Sequence, residues 1–561
     1  MAVAGLLAFA SCSDTWDEHY TSESALSYQG TTMSYIESQP NLTDFAQILK
    51  ATGYDAELQS SQVMTVLAPA NGTFNKDSIL NQIALGRTKQ VINRFVKNHI
   101  LRYNISLGAE PQKLTLLSAK KVTIGSLAEG TVNHAGVVKM NVSCDNGVIQ
   151  VLDRALLYEP NLFEQIEIDH EQYVDRTGND TIPSLYSFLM TYNTDSLDEA
   201  RSVSRGVDED GNTLYVDSVM IRNNRALANL DAFLYREDST YWAILPSHEA
   251  YAKRFEENLK YFNFNVAFNS DAAVRDSIQR YYAHRFTVSD LFYNMNMNQH
   301  VEDSIFSTAY NRASWQYDVY YHPLAADGLF ANTTSQVECS NGVAYNMDEI
   351  PYSIYNNMFR KIIVEGENWR AYGATEKEYT NSNSTNFETR IVSGPMISGT
   401  GFEYISASTA TLQTAFSYML PNTLSGTYDI YVKFLPKTIY YTLTNDTTTT
   451  CLPVKFRASL FERDNKGEMP DRGVTLRDPI TNDRNFTTDP YAVDTVYLAT
   501  YTFTNSFYSV PDPGVYLKLE SYVQSTDRTK FTKDMLIDCI LLVPHRDTED
   551  VAEEPKDDSN E

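Results

Sequence analysis

The sequence predicts a multidomain protein in which two α/β units are followed by an all-β sandwich. Three observations support this prediction. The chain has 561 residues, which suggests three or four units at about 150 residues per unit. Three landmarks occur twice, in the same order, in the first two thirds of the chain. The last third contains short alternating segments separated by Gly, Pro, Asn and Asp clusters, which indicates strands.

The chain begins with a short apolar segment that ends at a cysteine. Residues 2–10, AVAGLLAFA, fall far short of the roughly 20 apolar residues that a membrane-spanning helix needs, and they lead to Ser11 and Cys12. The segment resembles a bacterial lipobox, although no Lys or Arg precedes it. The resemblance implies a lipoprotein signal peptide over residues 1–12, lipidation of Cys12 and a surface tether over residues 13–27. A buried first strand is the alternative interpretation.

The residues after Cys12 are acidic and aromatic. Asp14, Trp16, Asp17 and Glu18 resemble the export signals of lipoproteins that are displayed on the outer face of the outer membrane. The two or three acyl chains of a lipoprotein hold it stably in a bilayer. We therefore expect a protein that is lipid-anchored in the cell outer membrane and exposed at the surface.

The repeated landmarks are a strand that ends at a proline, a segment that carries a histidine, and an Asn-Gly turn after a cysteine. The first copy reads TVLAPANGTF, VKNHI with His99, and CDNGVIQVLDRAL from Cys144. The second copy reads YWAILPSHEAY, YYAHRF with His284, and CSNGVAYNMDEIP from Cys339. The Asn-Gly pairs predict tight turns. We expect both histidines to bond to neighbouring backbone groups, and both cysteines to be free and buried.

These landmarks resemble the fasciclin domain, an α/β fold in which helices pack on a β-wedge. In that family an apolar helix like NLTDFAQILKATGY precedes the strand TVLAPxNxxF, and NGVIxVLDRxL closes the domain. The resemblance implies fasciclin-like domains over residues 28–160 and 161–352. The second is divergent, because it has larger insertions and carries Asp348 and Glu349 where the closing strand is otherwise apolar.

The stretch NKDSIL, from Asn75, has three interpretations. It resembles a short integrin-contacting motif of animal fasciclin proteins, and it contains an Asp-Ser-aliphatic triplet of the kind that some bacteria O-glycosylate. It also suits a helix start at Lys76, because Asp77 in a first turn interacts favourably with the helix dipole. We favour the helix.

The short alternating segments of residues 360–548 predict an antiparallel sandwich or jelly roll. The predicted strands are RKIIVEG, FSYML, GTYDIYVKFLP, PVKFRASLFE, DTVYLATYTF, GVYLKLESYV and MLIDCILLVP. Three segments, VEGENW, SGTYDIYVKFLP and LIDCILLVP, resemble the galactose-binding-like jelly roll of carbohydrate-binding modules. Residues 549–561 form an acidic tail that we expect to be disordered.

Composition and motifs exclude several functions. The net charge of −27 would repel nucleic acids, whereas the 38 tyrosines suit recognition of glycans or proteins. The sequence contains no G-x-S-x-G, H-E-x-x-H or G-x-x-x-x-G-K-[ST] motif. We therefore predict no catalytic residues and no enzyme activity. A surface glycosidase is the remaining catalytic alternative, because its carboxylate pair is defined only in space.

A structural calcium ion is the one cofactor that the sequence suggests. Glu365 and Glu367 are two apart on the first predicted strand of the jelly roll, so their side chains are expected on one face. Asp538 lies on the last strand, which we expect to pair near the first. Three carboxylates suit Ca²⁺, and related carbohydrate modules hold an ion in this way. The alternative is a solvated acidic edge.

These features together predict a non-catalytic outer-membrane surface lipoprotein. It would bind an extracellular glycan or protein as an accessory subunit of a starch-utilisation-type (SusC/SusD-like) transporter, with fasciclin-mediated cell adhesion as the alternative. Trp315 and Trp369 are candidate stacking residues, although a strand-borne Trp is more often core. The sequence assigns no other ligand-binding residue, and it leaves open whether Cys451 and Cys539 pair.

Overall fold

The structure is a computed structural model whose elements fall into three successive units, over residues 27–160, 161–359 and 360–546. It describes residues 27–199, 202–207, 211, 213–217, 220–311, 316–367, 385–409, 411–444, 450–510 and 514–546. Several predictions concern residues outside these ranges, namely Cys12, nearly all of the tether, Trp315, Trp369 and the tail over 549–561. None of the helices in these ranges is long and apolar enough to cross a membrane.

The first unit packs short helices on a mixed sheet. Its helices are α1 (Thr32–Ser38), α2 (Thr43–Thr52), α3 (Asp55–Gln59), α4 (Lys76–Ala84) and α5 (Thr88–Val91), followed by a π-helical turn (Ile92–Val96) and a 3₁₀ turn (Lys97–His99). Its strands are β1 (Met64–Pro69), β2 (Ile100–Arg102), β3 (Gln112–Thr115), β4 (Lys121–Ile124), β5 (Thr131–Val132), β6 (Ala135–Cys144) and β7 (Gly147–Leu152). The sheet order is β2-β1-β7-β6-β5-β4-β3, and β1 and β7 run parallel.

The parallel strands β1 and β7 form the centre of the first unit. Every residue of both strands is buried. Val66 and Ile149 belong to the cluster under the helices, whereas Leu67 and Leu152 belong to the cluster on the opposite side of the sheet. Parallel strands covered on both faces have continuous apolar runs in their sequences. This burial explains why the landmarks MTVLAP and GVIQVL are almost entirely apolar.

The helix interpretation of NKDSIL is confirmed. Helix α4 begins at Lys76, and the Asn75 side chain caps it by accepting a hydrogen bond from the Ser78 backbone N–H at 3.0 Å. Asp77 lies in the first turn of the helix.

The second unit has the same kind of centre with long insertions. Its helices are α6 (Leu162–Thr177), α7 (Leu185–Thr191), α8 (Arg225–Asn229), α9 (His248–Leu259), α10 (Ala272–Val288) and α11 (Ile354–Asn357). Its strands are β8 (Asn193–Leu197), β9 (Val203–Val207), β10 (Thr213–Asp217), β11 (Met220–Asn224), β12 (Tyr241–Pro246), β13 (Phe292–Asn294), β14 (Ser304–Asn311), β15 (Gln316–Tyr321), β16 (Ser335–Cys339) and β17 (Gly342–Met347). The main sheet has the order β13-β12-β17-β16, and separate two-stranded ribbons join β8 to β11, β9 to β10 and β14 to β15.

The two units repeat one arrangement of strands. In each, the proline-ended strand lies parallel to the strand after the Asn-Gly turn and antiparallel to the strand after the histidine. The turn glycines sit against the backbone of the parallel neighbour. A Cβ on Gly147 would lie 2.0 Å from the Met64 carbonyl oxygen, and one on Gly342 would lie 1.8 Å from that of Tyr241. Only glycine fits such an approach.

The turn asparagines make the same three hydrogen bonds in both units. Asn146 accepts from the Thr32 N–H at 2.7 Å and donates to the Leu58 and Ser60 carbonyls at 2.8 and 2.6 Å. The matching bonds of the second unit join Asn341 to the Leu162 N–H at 2.9 Å and to the Leu234 and Arg236 carbonyls at 2.8 Å each. Both amides therefore tie the start of the first helix to the sheet.

The histidine and cysteine predictions are confirmed only in part. His99 is fully buried between two backbone groups, with Nδ1 2.8 Å from the Phe95 carbonyl oxygen and Nε2 accepting from the Leu156 N–H at 2.9 Å. His284 was predicted to do the same, but its Nδ1 instead bonds to the Tyr251 hydroxyl at 2.9 Å, because aromatic rings surround it. Cys144 and Cys339 are free, as predicted, but only half-buried, because each ends an exposed strand.

The third unit is a two-sheet sandwich. Its strands are β18 (Ile362–Glu365), β19 (Thr385–Ile391), β20 (Gly401–Ala407), β21 (Ala415–Met419), β22 (Gly426–Phe434), β23 (Lys455–Glu462), β24 (Val474–Thr475), β25 (Phe486–Thr487), β26 (Asp494–Phe503), β27 (Val515–Ser521) and β28 (Met535–Pro544), with helix α12 (Lys437–Thr444) and a 3₁₀ turn (Ser525–Asp527). One sheet has the order β19-β20-β28-β22-β26, with β18 also paired to β28. The other has the order β21-β27-β23-β24, with β25 paired to β23. Cys451 and Cys539 are both free.

The second and third units share one hydrophobic core. Tyr508 of the third unit packs edge-on against the rings of Phe262 and Phe286 of the second, with centroids 5.9 and 5.6 Å apart. Phe359 joins the two units by contacting both Tyr261 and Tyr428. The first unit has separate apolar clusters.

Ion pairs connect the first unit to the second. Arg87 makes two hydrogen bonds to Asp175, at 2.7 and 2.6 Å, at an exposed position. Lys120 is buried and lies 2.6 Å from Glu164 and 2.7 Å from Glu237. The contact between these units is therefore largely polar, unlike the apolar contact between the second and third.

Candidate functional site

The three carboxylates predicted to hold calcium lie around one turn of the third unit. Ser398 donates from its N–H to both oxygens of Asp538, at 2.9 and 3.1 Å, and from its hydroxyl to Glu365 at 2.8 Å. Thr400 donates its N–H to Glu367 at 2.7 Å. β18 and β28 pair as predicted, with Glu365 opposite Cys539, and this register brings the carboxylates together.

The local backbone differs from the prediction at one point. Strand β18 ends at Glu365, and Gly366 and Glu367 begin a short helical turn instead of continuing the strand. Gly366 is pressed against β28, where a Cβ would lie 2.2 Å from the Ile537 carbonyl oxygen. Glu365 and Glu367 reach the same turn because the chain bends there, and not because strand residues alternate.

A lysine side chain also lies among these three carboxylates. Lys433 Nζ lies 2.8 Å from Oδ2 of Asp538, a residue that is fully buried. Burial raises the pKa of Glu365, and the neighbouring Glu367 and Asp538 add to that increase. One oxygen of Glu365 and one of Glu367 are buried without a hydrogen-bond partner. Sequence reasoning missed Lys433, which lies 105 residues before Asp538 on a different strand.

The fit of this group to a calcium ion is partial. The two oxygens without partners are hard acceptors that Ca²⁺ favours. The Asp538 carboxylate, however, is already neutralised by the Lys433 ammonium. Within the described ranges, no group of three or more His, Cys, Asp or Glu side chains is arranged to hold a metal ion. Calcium binding here stays a prediction, which requires Lys433 to move away from Asp538.

A second candidate site is a cleft on the outer face of the sheet β21-β27-β23-β24. Side chains along β23 and β27 alternate between buried and half-exposed, so one set faces the core and the other faces outward. The register places Arg457 opposite Glu520 and Ser459 opposite Lys518. The cleft has a volume of ≈ 210 Å³. Its lining residues are Arg457, Ser459, Thr475, Arg484, Lys518 and Glu520.

The cleft is basic, although the chain as a whole is strongly acidic. Three cationic residues line it against one carboxylate, that of Glu520. Arg457 is held in place, because its Nε donates to Asn485 at 2.9 Å and its guanidinium lies 3.4 Å from the centroid of the Tyr522 ring. Lys518 is 3.5 Å from Glu520. A local positive field in a chain of net charge −27 favours an anionic ligand.

Sequence reasoning did not find this cleft. Arg457 and Lys518 are 61 residues apart and become neighbours only when β23 pairs with β27. Their positions between buried residues in KFRASLFE and VYLKLES were the available signal, since they mark the outward side of each strand. Nothing in either segment indicates that the two outward sides face the same cleft.

Comparison with known proteins gives a family for part of the chain. The model of the Fasciclin domain matches residues 40–158. A search of curated proteins by sequence finds no match.

Three solved structures, each at 12% sequence identity, align with parts of this chain. The CBM22-1 xylan-binding domain from Paenibacillus barcinonensis Xyn10C aligns over 33% of this chain and 95% of its own, with a TM-score of 0.19. The FAS1 domain pair of the insect cell adhesion molecule Fasciclin I aligns over 57% of this chain and 99% of its own, with a TM-score of 0.18. A Paenibacillus xanthan lyase aligns over 45% of this chain and 20% of its own, with a TM-score of 0.21. The family match shows that residues 40–158 form a fasciclin domain.

Proposed function

We propose that the protein is a non-catalytic surface lipoprotein that binds an extracellular glycan through the cleft of its third unit. The observation that carries this proposal is the basic cleft of an acidic chain, lined by Arg457, Arg484 and Lys518. Guanidinium and ammonium groups bind carboxylate and sulfate groups by charge-assisted hydrogen bonds, and Ser459 and Thr475 offer hydroxyls to a sugar. The glycan expected here is therefore a polysaccharide that carries uronate or sulfate groups.

Affinity electrophoresis of the full chain through gels that contain a polysaccharide tests this function. Polygalacturonate or a sulfated glycan is expected to retard the protein, whereas neutral xylan or dextran is not. Arg457→Ala and Lys518→Ala are each expected to weaken binding about tenfold, since each removes a charge-assisted hydrogen bond. Lys530→Ala, an exposed lysine outside the cleft, is the matched control. Equal retardation by neutral glycans, or unchanged binding in both cleft variants, would contradict the proposal.

The same proposal places the protein at the outer membrane beside a transporter. A lipid on Cys12 would anchor the chain, and a SusC/SusD-like pair would receive the captured glycan. Mass spectrometry of the N-terminal peptide should detect a diacylated cysteine. Affinity purification from solubilised outer membrane should recover a transporter barrel with the tagged protein. An unmodified N-terminus, or recovery of the protein alone, would remove these parts of the proposal.

Adhesion is the second candidate function, and the fasciclin domain over residues 40–158 is the observation that favours it. Deletion of the gene would then reduce attachment to matrix or to partner cells and leave growth on polysaccharides unchanged. Loss of growth on an acidic polysaccharide with normal attachment would favour glycan capture instead.

We also propose that Glu365, Glu367 and Asp538 hold a calcium ion that fixes the turn over residues 398–400. Glu365 and Glu367 would supply the oxygens that lack a partner, and Asp538 would join when Lys433 leaves it. Calcium is expected to raise the melting temperature of the chain, and a chelator to reverse the rise. Glu367→Gln should abolish the effect, whereas Lys433→Met should strengthen it by freeing Asp538. A melting temperature that is independent of calcium in both the parent chain and Lys433→Met would contradict the site.

A further inference from the structure

A cavity in the second unit opens at the carboxyl ends of two parallel strands. Strands β12 and β17 end side by side, with Pro246 paired to Met347. Ligands of α/β proteins bind preferentially at this edge of a sheet. The cavity has a volume of ≈ 250 Å³, and helix α6 forms one of its walls.

Apolar groups and carboxylates share the walls of this cavity. Ile166, Leu185 and Leu245 contribute aliphatic surface. Asp169, Glu249 and Asp348 contribute carboxylates, and Arg176 is the one cationic residue among those that line it. Arg176 is itself exposed, with its guanidinium 5.7 Å from the centroid of the Tyr173 ring. The formal charge of the lining is therefore −2, apart from histidine.

Asp169 is the polar group that best identifies a ligand. Its side chain is partly buried, and its partner is the Gln165 amide, which donates to Oδ1 at 2.7 Å. In the described part of the chain, no Lys, Arg or His lies within ion-pair distance of it. Burial raises the pKa of Asp169 to about 6, as expected of a carboxylate that lacks a counter-ion. A carboxylate withdrawn from water and not paired with a cation is unfavourable until a cation reaches it.

The histidine at the cavity does not supply that cation. His248 lines the cavity, stacks on the Tyr173 ring with centroids 3.9 Å apart, and bonds to His170 through Nε2 at 3.0 Å. Burial lowers the pKa of His248 to about 4, so its imidazole is neutral at neutral pH. The ring faces of the two tyrosines at the cavity are already covered, since Tyr173 stacks on His248 and Tyr186 stacks on His170 with centroids 4.0 Å apart. Stacking of a sugar ring on these tyrosines is therefore disfavoured.

We propose that this cavity binds a primary ammonium group carried on a short aliphatic chain, with Asp169 as its counter-ion. The ammonium would donate to the Asp169 carboxylate, and the aliphatic chain would lie against Ile166, Leu185 and Leu245. Asp348 and Glu249, both exposed at the edge of the cavity, would attract the cation from solution. An aminoalkyl group of this kind occurs on polyamines, on amino-modified surface polymers and on lysine side chains. The site is independent of the glycan cleft in the third unit.

Ligand-observed NMR with the full chain at pH 7.5 tests this site, with n-butylammonium as the probe and butan-1-ol as its neutral control. The ammonium is expected to bind saturably and at least about tenfold more tightly than the alcohol, because it forms a charge-assisted bond to a desolvated carboxylate. Asp169→Asn should remove this preference. Glu256→Gln, which removes an exposed charge from helix α9 outside the cavity, should leave it unchanged.

A second measurement separates ligand binding from a structural role of Asp169. If the carboxylate is an uncompensated charge, Asp169→Asn should raise the melting temperature of the free chain while it abolishes binding of the ammonium. Its retardation by acidic polysaccharide should remain, because the glycan cleft is untouched. Asp348→Asn, an exposed substitution that leaves the fold intact, should weaken ammonium binding less than Asp169→Asn does. Equal binding of the alcohol, unchanged ammonium binding in Asp169→Asn, or no saturable ammonium binding at millimolar concentration would overturn the proposal.

Discussion

The first and second units build the same turn and then surround it differently. In both, an asparagine makes three hydrogen bonds of 2.6 to 2.9 Å to backbone groups, and the following glycine touches the neighbouring strand. The first unit then closes its sheet with four further antiparallel strand pairings. The second has a shorter main sheet and inserts three two-stranded ribbons.

The histidines show what this difference means. His99 is locked between two backbone groups, whereas His284 occupies the landmark position but lies among aromatic side chains. Local backbone bonding repeats between the units, because the strands and the turn require it. The surroundings change, because the second unit must also join the third through a common apolar core. The cavity at Asp169 opens where the repeated strands β12 and β17 end, and helix α6 of the second unit forms one of its walls.

The largest effect is expected from the turn glycines. Gly147→Ala and Gly342→Ala each place a Cβ about 2 Å from a backbone oxygen. The backbone must shift to relieve this clash, and the shift should lower the free energy of unfolding by more than about 4 kcal/mol. Gly147→Ala should unfold the first unit alone, since its core is separate. Gly342→Ala should destabilise the second and third units together.

Hydrogen exchange measured by mass spectrometry separates these outcomes by peptide. In Gly147→Ala, peptides from β1 and β7 should lose protection while those from β12 and β28 keep it. Gly53→Ala is the control, because nothing lies within 4 Å of a Cβ at that helix end and the cost is the positive φ of 73° alone. If Gly147→Ala also unprotected the third unit, the separation of the cores would be wrong.

The next largest loss of stability is expected when the turn asparagines are replaced. Asn146→Ala and Asn341→Ala each remove three hydrogen bonds of a buried amide and leave backbone groups without partners. Each should cost about 3 to 4 kcal/mol. Urea unfolding followed by exchange in α1 and α6 measures the two costs. Equal losses of unfolding free energy would show that the turn contributes the same stability to both units. A much smaller loss in Asn341→Ala would show that the shared core supports the second turn.

The repeated strands could be predicted from the sequence because they are buried, and burial gives each of them a recognisable apolar run. Each of the seven strands predicted in the third unit is present. Strands β19, β20, β24 and β25 were not predicted. The segment TNFETRI of β19 is too polar to be recognised as a strand by itself, and it becomes one by pairing with β20. Lys433 beside Asp538 and the pairing of Arg457 with Glu520 were equally out of reach, since each depends on strand register between distant segments. Spacing within a segment carries no information on that register.

Acidification to pH 5 should lower the free energy of unfolding of the first unit by about 2 kcal/mol more than that of the second. Burial lowers the pKa of His99 from 6.5 to about 4, so the unfolded chain takes up a proton before the folded one does. This stabilisation is present above pH 6.5 and is lost as the pH falls toward 4, and about 2 kcal/mol of it should be gone by pH 5. In the second unit His284 and His248 act with the same sign, but burial raises the pKa of Asp290 to about 7 and that of Asp169 to about 6, and stability from these two carboxylates returns as the pH falls.

Exchange protection of β1 and of β12 at pH 7.5 and pH 5, corrected for intrinsic rates, measures this contrast. The first unit should lose more protection than the second. His99→Gln should flatten the pH dependence of the first unit. An equal acid response in the two units would show that Asp290 and Asp169 do not offset the histidines of the second unit.

The smallest loss of stability is expected at the exposed ion pair between the first two units. Arg87→Gln breaks an exposed ion pair with Asp175 and should cost less than about 1 kcal/mol, with a further decrease in high salt. Lys120→Met removes a buried ammonium from Glu164 and Glu237 and should cost more, because two carboxylates are left without their cation. Both variants should leave the exchange protection of β12 unchanged and loosen only α6 and the strands that face it. A loss of protection in the third unit of Lys120→Met would show that this polar contact supports the shared core, and the contrast between a polar and an apolar junction would then fail.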